Sequence, residues 1–271
     1  MDRRPGLQPG RAPPAAGDVK RFAASWIAAL LLGCAAPAAQ DTRRSGFDEM
    51  GASTQAMQRD DAGSPAMLWV QEGEQLWRAA PASSRSCAGC HGEPSALRGV
   101  AARYPAWDEP LRRPVNLGTR INLCRERHGA SAPGPPNTEG LLSLEALVGL
   151  QSRGQPIAPP QDDRLLPHRA RGEALYRQRI GQLELSCAQC HDERAGGRLG
   201  AALIPQGHAT GYPLYRLEWQ ALGSLGRRLR NCMTGVRAEP VAYGSEEMAQ
   251  LELYPAARAM GMAVETPAVR P

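Results

Sequence analysis

Ser186-Cys187-Ala188-Gln189-Cys190-His191 reads as a site for covalent attachment of a c-type haem. In C-x-x-C-H the two thiols add to the porphyrin vinyl groups, and the two-residue spacing lays both sulfurs along one edge of the ring. The adjacent histidine is thereby set beneath the iron. A bare C-x-x-C would equally suit a redox dithiol or a zinc corner. The attached histidine, and a second copy upstream, favour haem. The stretch runs on to Pro240 and carries a lone cysteine, Cys232, among Arg227, Arg228, Arg230 and Arg237.

Upstream, Ser86-Cys87-Ala88-Gly89-Cys90-His91-Gly92-Glu93 parallels Ser186-Cys187-Ala188-Gln189-Cys190-His191-Asp192-Glu193. Before each motif lies a helical stretch, Gly73-Glu74-Gln75-Leu76-Trp77 in one copy and Gly172-Glu173-Ala174-Leu175-Tyr176 in the other. After each comes an irregular stretch with one cysteine, Cys124 or Cys232, and an arginine four residues before it, Arg120 or Arg228. A second helix follows, expected at Leu141 to Gln151 and at Ser245 to Tyr254, where Pro255 should stop or kink it. The chain is an internal duplication. The order of elements resembles the small helical cytochrome c domain, so the expected fold is mainly α, with two tandem cytochrome c-like haem domains and long irregular loops. The expected boundaries are 65–158 and 159–271, with a Pro-rich linker over Gly154 to Pro167.

Each iron requires a second axial ligand from Met, His or Cys. No Met lies between His91 and Pro167, which leaves Cys124 and His128 for the first site. The second site has Cys232, His208, Met233 and Met248. Equivalent placement in both repeats favours Cys124 and Cys232. The alternative is a disulfide between them. A thiolate stabilises ferric iron and makes a poor relay, which suggests that sulfur itself takes part in the chemistry. The arginines around Cys232 can lower its pKa and receive an oxyanion; as the alternative, they form a solvated face or pair with haem propionates.

The bulk composition agrees. Of 271 residues, only 5% are aromatic, while 29 are Gly and 24 Pro, so a porphyrin is needed to help fill the core. The net charge of +5 favours anionic partners. No basic run with interleaved aromatics points to nucleic acid. Residues 1–39 read as an export signal: Lys20-Arg21, an apolar run Phe22 to Cys34, then small residues through Ala39. Leu31-Leu32-Gly33-Cys34 resembles a lipoprotein cleavage box, the alternative. A periplasmic location follows. Residues 40–64 are polar and are expected to be flexible.

The paired C-x-x-C-H motifs with trailing cysteines, Gly207-His208-Ala209-Thr210-Gly211-Tyr212-Pro213, and Arg228-x-x-x-Cys232 before Gly235-Val236-Arg237-Ala238-Glu239-Pro240 resemble the SoxA family. This is the dihaem cytochrome subunit of bacterial thiosulfate-oxidising systems. The resemblance spans about residues 65 to 262. It implies two covalently bound haem c groups and a heterodimer with a monohaem cytochrome, SoxX. It implies an L-cysteine S-thiosulfotransferase that joins thiosulfate to a cysteine of the SoxYZ carrier and passes two electrons to a cytochrome c acceptor. It implies Cys232 as the catalytic cysteine, a haem-bound persulfide, and Arg228 as the substrate-binding residue. The implied attachment cysteines are Cys87, Cys90, Cys187 and Cys190; the implied axial pairs are His91 with Cys124 and His191 with Cys232. A dihaem electron carrier without substrate, and a dihaem peroxidase, are the competing readings.

Overall fold

The computed structural model describes residues 41–80, 85–129 and 134–271, together with Gly10 and Ala12. Apart from those two residues, the export segment expected at 1–39, with Cys34, lies outside them. Residues Arg43–Pro271 form one compact unit.

In chain order the helices are α1 (Ala52–Arg59), α2 (Ala66–Arg78), α3 (Cys87–His91), α4 (Leu117–Arg127), α5 (Glu139–Leu150), α6 (Leu166–Arg177), α7 (Cys187–His191), α8 (Leu225–Gly235) and α9 (Glu246–Arg258). Four strands form two hairpins at equivalent places, β1 (Ala106–Asp108) with β2 (Arg113–Val115) and β5 (Leu214–Arg216) with β6 (Ala221–Gly223). The second half adds a small hairpin of β3 (Arg198–Leu199) and β4 (Ala202–Leu203), and a last strand β7 (Ala268–Arg270) parallel to β5.

Each half is built on a crossing of two helices, α2 with α5 and α6 with α9. The crossings are close because a glycine stands at each contact. A Cβ on Gly73 would collide with the Ser143 carbonyl, and one on Gly172 with the Gln250 carbonyl. Helix α5 buries Leu141, Leu142, Leu144, Leu147 and Val148. It is apolar on nearly all faces because it is covered on nearly all faces. Its partners come from both halves: Val70 and Trp77 of α2, and Tyr215, Leu222 and Val269 of the second-half sheet. Each such side chain contributes about 2 kcal/mol by burial. Trp69 of α2 and Tyr215 of β5 meet with ring centroids 5.5 Å apart. Conversely, the first-half β1–β2 hairpin packs on α9, where Arg113 donates to the Gly244 carbonyl at 3.0 Å. The halves thus exchange hairpins, and neither core is complete without the other.

Several expectations need correction. Residues 40–64, expected to be flexible, contain α1, and Gln58 of that helix accepts the Val269 backbone N–H at 3.1 Å. The segment before α1 is tied down as well: Arg43 donates to the Arg258 and Met260 carbonyls. The stretch expected to be a linker is packed, with Ile157 buried and its N–H bonded to the Met262 carbonyl. Pro255 neither ends nor stops its helix, since α9 continues to Arg258. The lone cysteines lie on helices α4 and α8 rather than in irregular loops. Both helices are polar in sequence, and their starts were readable only from the caps. Asn116 accepts the Thr119 N–H and Ser224 accepts the Arg227 N–H, each eight residues before its cysteine.

Candidate functional site

The two C-x-x-C-H motifs form single helical turns, each begun by a serine cap. Ser86 Oγ accepts the Gly89 N–H at 3.0 Å. Ser186 and Gln189 cap each other reciprocally. Each turn runs from the first thiol at its start to the histidine at its end. The preceding helix supports the turn through an aromatic residue at the same place in each half. Trp77 Nε1 donates to the Gly92 carbonyl at 2.9 Å, and Tyr176 donates to Asp192 Oδ1 at 3.0 Å.

In the second half, His191 Nδ1 lies 2.7 Å from the Pro205 carbonyl. That bond fixes Nδ1 as the protonated nitrogen and leaves Nε2 to ligate. Gly207, in the left-handed region at φ 74°, lies flat against the same ring, where a Cβ would come within 3.0 Å of it. Cys187, His191, Cys232 and Arg228 line one cavity of about 380 Å³, walled by Leu203, Leu214, Leu225 and Leu229. Burial pushes the Cys187 thiol up to about 11. Burial also raises Cys232, but a hydrogen bond with His191 and the charges of Arg228, His191 and Arg216 outweigh it, so its thiol lies below the ordinary value.

This arrangement fits a covalently held haem: two thiols on one turn, an oriented imidazole, a thiol on the facing helix and an apolar-walled cavity. Of the other distal candidates, Met233 Sδ accepts the Val241 N–H at 3.4 Å, and Met248 lines a different cavity between the halves. His208 lines the same cavity as Cys232, and its ring is engaged by Gln206 at 3.2 Å.

The first half offers the same donor types. Burial raises Cys87, partly offset by Arg125, and the field of Cys124 reaches it. The His91 ring lies 5.8 Å from Trp77. Cys124 is half-buried on α4, whereas His128 is exposed at the helix end. All six described cysteines, Cys124 and Cys232 among them, are free thiols rather than disulfides.

The expected cluster of four arginines around Cys232 is dispersed by the fold. Arg227 stacks on Trp219, its guanidinium carbon 4.1 Å from the ring centroid. Arg230 covers Tyr243 and caps the Pro240 and Val241 carbonyls. Arg237 is exposed. Arg228 alone of the four lines the cavity. A residue that sequence reasoning missed, Arg216, joins it there from β5. Nothing in the spacing pointed to Arg216; only the hairpin carries it to α8.

The repeat also separates Arg228 from Arg120. Arg120 is held by Asp108, whose carboxylate lies 2.7 Å away and is fully buried. In register along the hairpins, Arg216 stands where Asp108 stands. Arg228 has no ion pair among the described residues, and a second cation, Arg216, lines its cavity from the hairpin position where the first half has an acid.

The SoxA/TsdA cytochrome c domain family matches the chain twice, over residues 72–157 and 171–264. The L-cysteine S-thiosulfotransferase subunit SoxA of Pseudaminobacter salicylatoxidans is 35% identical over 233 residues, covering 85% of this chain and 82% of that protein. The subunit of the same name from Paracoccus pantotrophus is 35% identical over 232 residues, covering 85% and 80%. The crystal structure of SoxXA from P. pantotrophus superposes with a TM-score of 0.81 at 35% identity, over 86% of this chain and 88% of that one. With the family matched in both halves, and relatives this similar over most of their length, the chain belongs to the SoxA family of c-type cytochromes.

Proposed function

We propose that the chain is the SoxA-type subunit of an L-cysteine S-thiosulfotransferase, working in the periplasm with a SoxX-type monohaem cytochrome. The activity named for its relatives and the likeness to the SoxXA structure support this reading. Among the described residues no helix is long and apolar enough to cross a membrane. The reaction joins a cysteine thiol of a SoxYZ-type carrier to the outer sulfur of thiosulfate. One S–S bond forms, the thiol proton is released, and two electrons leave for a cytochrome c acceptor.

Two haem c groups are assigned, on Cys87 and Cys90 with His91 and Cys124 as the axial pair, and on Cys187 and Cys190 with His191 and Cys232. Haem at the second site supplies a one-electron exit for the electrons. Cys232, as a persulfide, is the sulfur centre, and the positive charges of Arg228 and Arg216 act on it. Arg228 receives the thiosulfate charge. One observation carries the assignment: Arg228 shares the cavity of Cys232 and His191 without an acidic partner among the described residues, whereas its repeat equivalent Arg120 is neutralised by Asp108.

The test is Cys232→Ala in the haem-loaded complex with the monohaem partner and carrier, assayed for thiosulfate-dependent cytochrome c reduction. Loss of turnover with haem content retained is expected. Retained turnover would make the chain a dihaem electron carrier and overturn the assignment.

A further inference from the structure

Four arginines line the second-half cavity: Arg198, Arg216, Arg228 and Arg270. Two of them are already occupied. Arg270 is held by Glu265 and Gln58 and donates to its neighbour's carbonyl. Arg198 is exposed and donates to the Ala201 carbonyl at 2.9 Å. The remaining pair, Arg216 and Arg228, are the two arginines that act on the Cys232 thiol, alongside His191. Together with Arg270 they also act on Tyr212, half-buried at the same cavity, whose hydroxyl burial pushes up against the pull of these cations.

Arg216 is not neutralised from within. Its one carboxylate partner is Glu218, two residues along, which takes the Nε donor at 2.9 Å and is itself solvent-exposed. Because the Glu218 end of the pair is open to solvent, the pair is screened and contributes little. Its guanidinium also lies over Trp219, 5.5 Å from the ring centroid, and its terminal nitrogens remain for a ligand in the planar geometry that suits an oxyanion. The first half shows the contrast. The same hairpin position is an aspartate, and there the arginine on the facing helix is locked into a buried pair.

Arg216 and Arg228 line one cavity and repel each other unless an anion sits there; the carboxylate that also lines it, Glu49, feels Arg44 and His191 rather than either of them. A dianion removes that repulsion; a monoanion removes half of it. We propose that Arg216 is a second substrate-binding residue, which together with Arg228 clamps the sulfonate end of thiosulfate and selects a doubly charged substrate. This rests on the proposed function, and specifically on Arg228 as the first anion contact. Arg228 reaches the site from α8 and Arg216 from β5, so the clamp closes from two elements. It leaves the outer sulfur of thiosulfate on the Cys232 side.

The experiment uses the haem-loaded heterodimer with carrier. Arg216→Gln should raise the KM for thiosulfate about tenfold with kcat within about twofold, the loss typical of one charge-assisted hydrogen bond. Arg216→Lys should recover most of that loss, since it keeps the charge. Arg216→Asp should be worse than Gln, about a hundredfold in KM, because it recreates the Asp108–Arg120 pair and captures Arg228. Thiosulfate added without carrier should raise the melting temperature of the wild type and fail to do so for Arg216→Asp.

An unchanged KM in both Gln and Asp variants overturns the proposal. So does an unchanged KM accompanied by a shifted haem potential, which would make Arg216 a propionate partner. Arg228→Gln separates the two readings. If it leaves KM unchanged, the underlying assignment of Arg228 fails. If it raises KM while Arg216→Gln does not, only the clamp fails.

Discussion

Arg120 and Asp108 form a 2.7 Å ion pair in which the carboxylate is fully buried, and Arg127 joins it at 3.1 Å. Burial alone would raise the Asp108 pKa. The Leu111 N–H, Arg127 and Arg120 outweigh it and hold the carboxyl below its ordinary value. Its contribution is therefore present above pH 3.8 and is lost as pH falls through the depressed folded value. Asp108→Asn leaves two guanidinium groups facing a neutral amide. The expected cost is about 3 kcal/mol, since one partner of a buried pair is removed. A thermal melt at pH 7 should show a drop of roughly 8 °C. The KM for thiosulfate should not move, because none of Asp108, Arg120 and Arg127 lines the cavity of Cys232.

The same comparison assigns different roles to two arginines that look identical in sequence. Arg228→Ala is expected to raise the KM for thiosulfate at least tenfold with a small change in melting temperature. Arg120→Ala is expected to do the reverse. If the two variants behave alike, the distinction drawn from Asp108 and Arg216 is wrong.

Gly73 and Gly172 are the narrowest points of the two helix crossings. Replacement by Ala has opposing effects. Intrinsic helix propensity gains about 1 kcal/mol. Overpacking against a backbone carbonyl, which cannot rotate away, costs about 3 kcal/mol. Net destabilisation of about 2 kcal/mol is expected for each variant in chemical denaturation. Gly172→Ala should also reduce haem attachment at Cys187 and Cys190, because α6 carries Tyr176, which braces that motif. Mass analysis of the haem-bearing peptides would show it, and full attachment with normal stability would count against the tight crossing.

The repeat, the two attachment motifs and the helices before and after them were legible because they depend on local signals: C-x-x-C-H, glycine and aromatic residues at fixed places, and apolar periodicity. The hairpins and their exchange were not. Each strand is three residues long, too short for alternation to register. Arg216, Asp108 and Glu252 matter through partners far along the chain, which composition cannot reveal. The arginines beside Cys232 misled for the opposite reason. Neighbours in sequence on a helix point in different directions, so Arg227, Arg228 and Arg230 meet three different surroundings. Pro255 misled because helix-stopping is a statistical tendency, and here Pro255 and Ala256 are themselves buried with Leu251 and Leu253 of α9.

Between the halves lies a smaller cavity of about 120 Å³, lined by Glu145 of α5 and Glu252 of α9, with Tyr104, Tyr212 and Tyr243 as its other titratable groups. The repeat explains the pair. A Cβ on Gly118 would meet Glu145, and one on Gly226 would meet Glu252, so each glycine makes room for a carboxyl. Burial, then the charge of Glu252, pushes Glu145 up to about 8. Burial pushes Glu252 up to about 7 against the opposing hydrogen bonds of Asn116, at 2.7 Å, and the Gly226 N–H. Both folded values exceed the ordinary 4.5. Stability from keeping these groups neutral is thus fully present below pH 4.5 and is lost as pH rises through 7 to 8. Asp108 acts at the opposite end of the range, so the melting temperature should peak at mildly acidic pH and fall by several degrees on going to pH 9. Glu145→Gln keeps the shape and removes the ionisation. It should flatten the alkaline fall while leaving the melting temperature at pH 5 nearly unchanged. A wild-type profile that is level from pH 5 to 9, or a Gln variant that loses stability equally at both ends, would mean that the two carboxyls are charged in the folded protein and that the cavity between the halves holds their compensation.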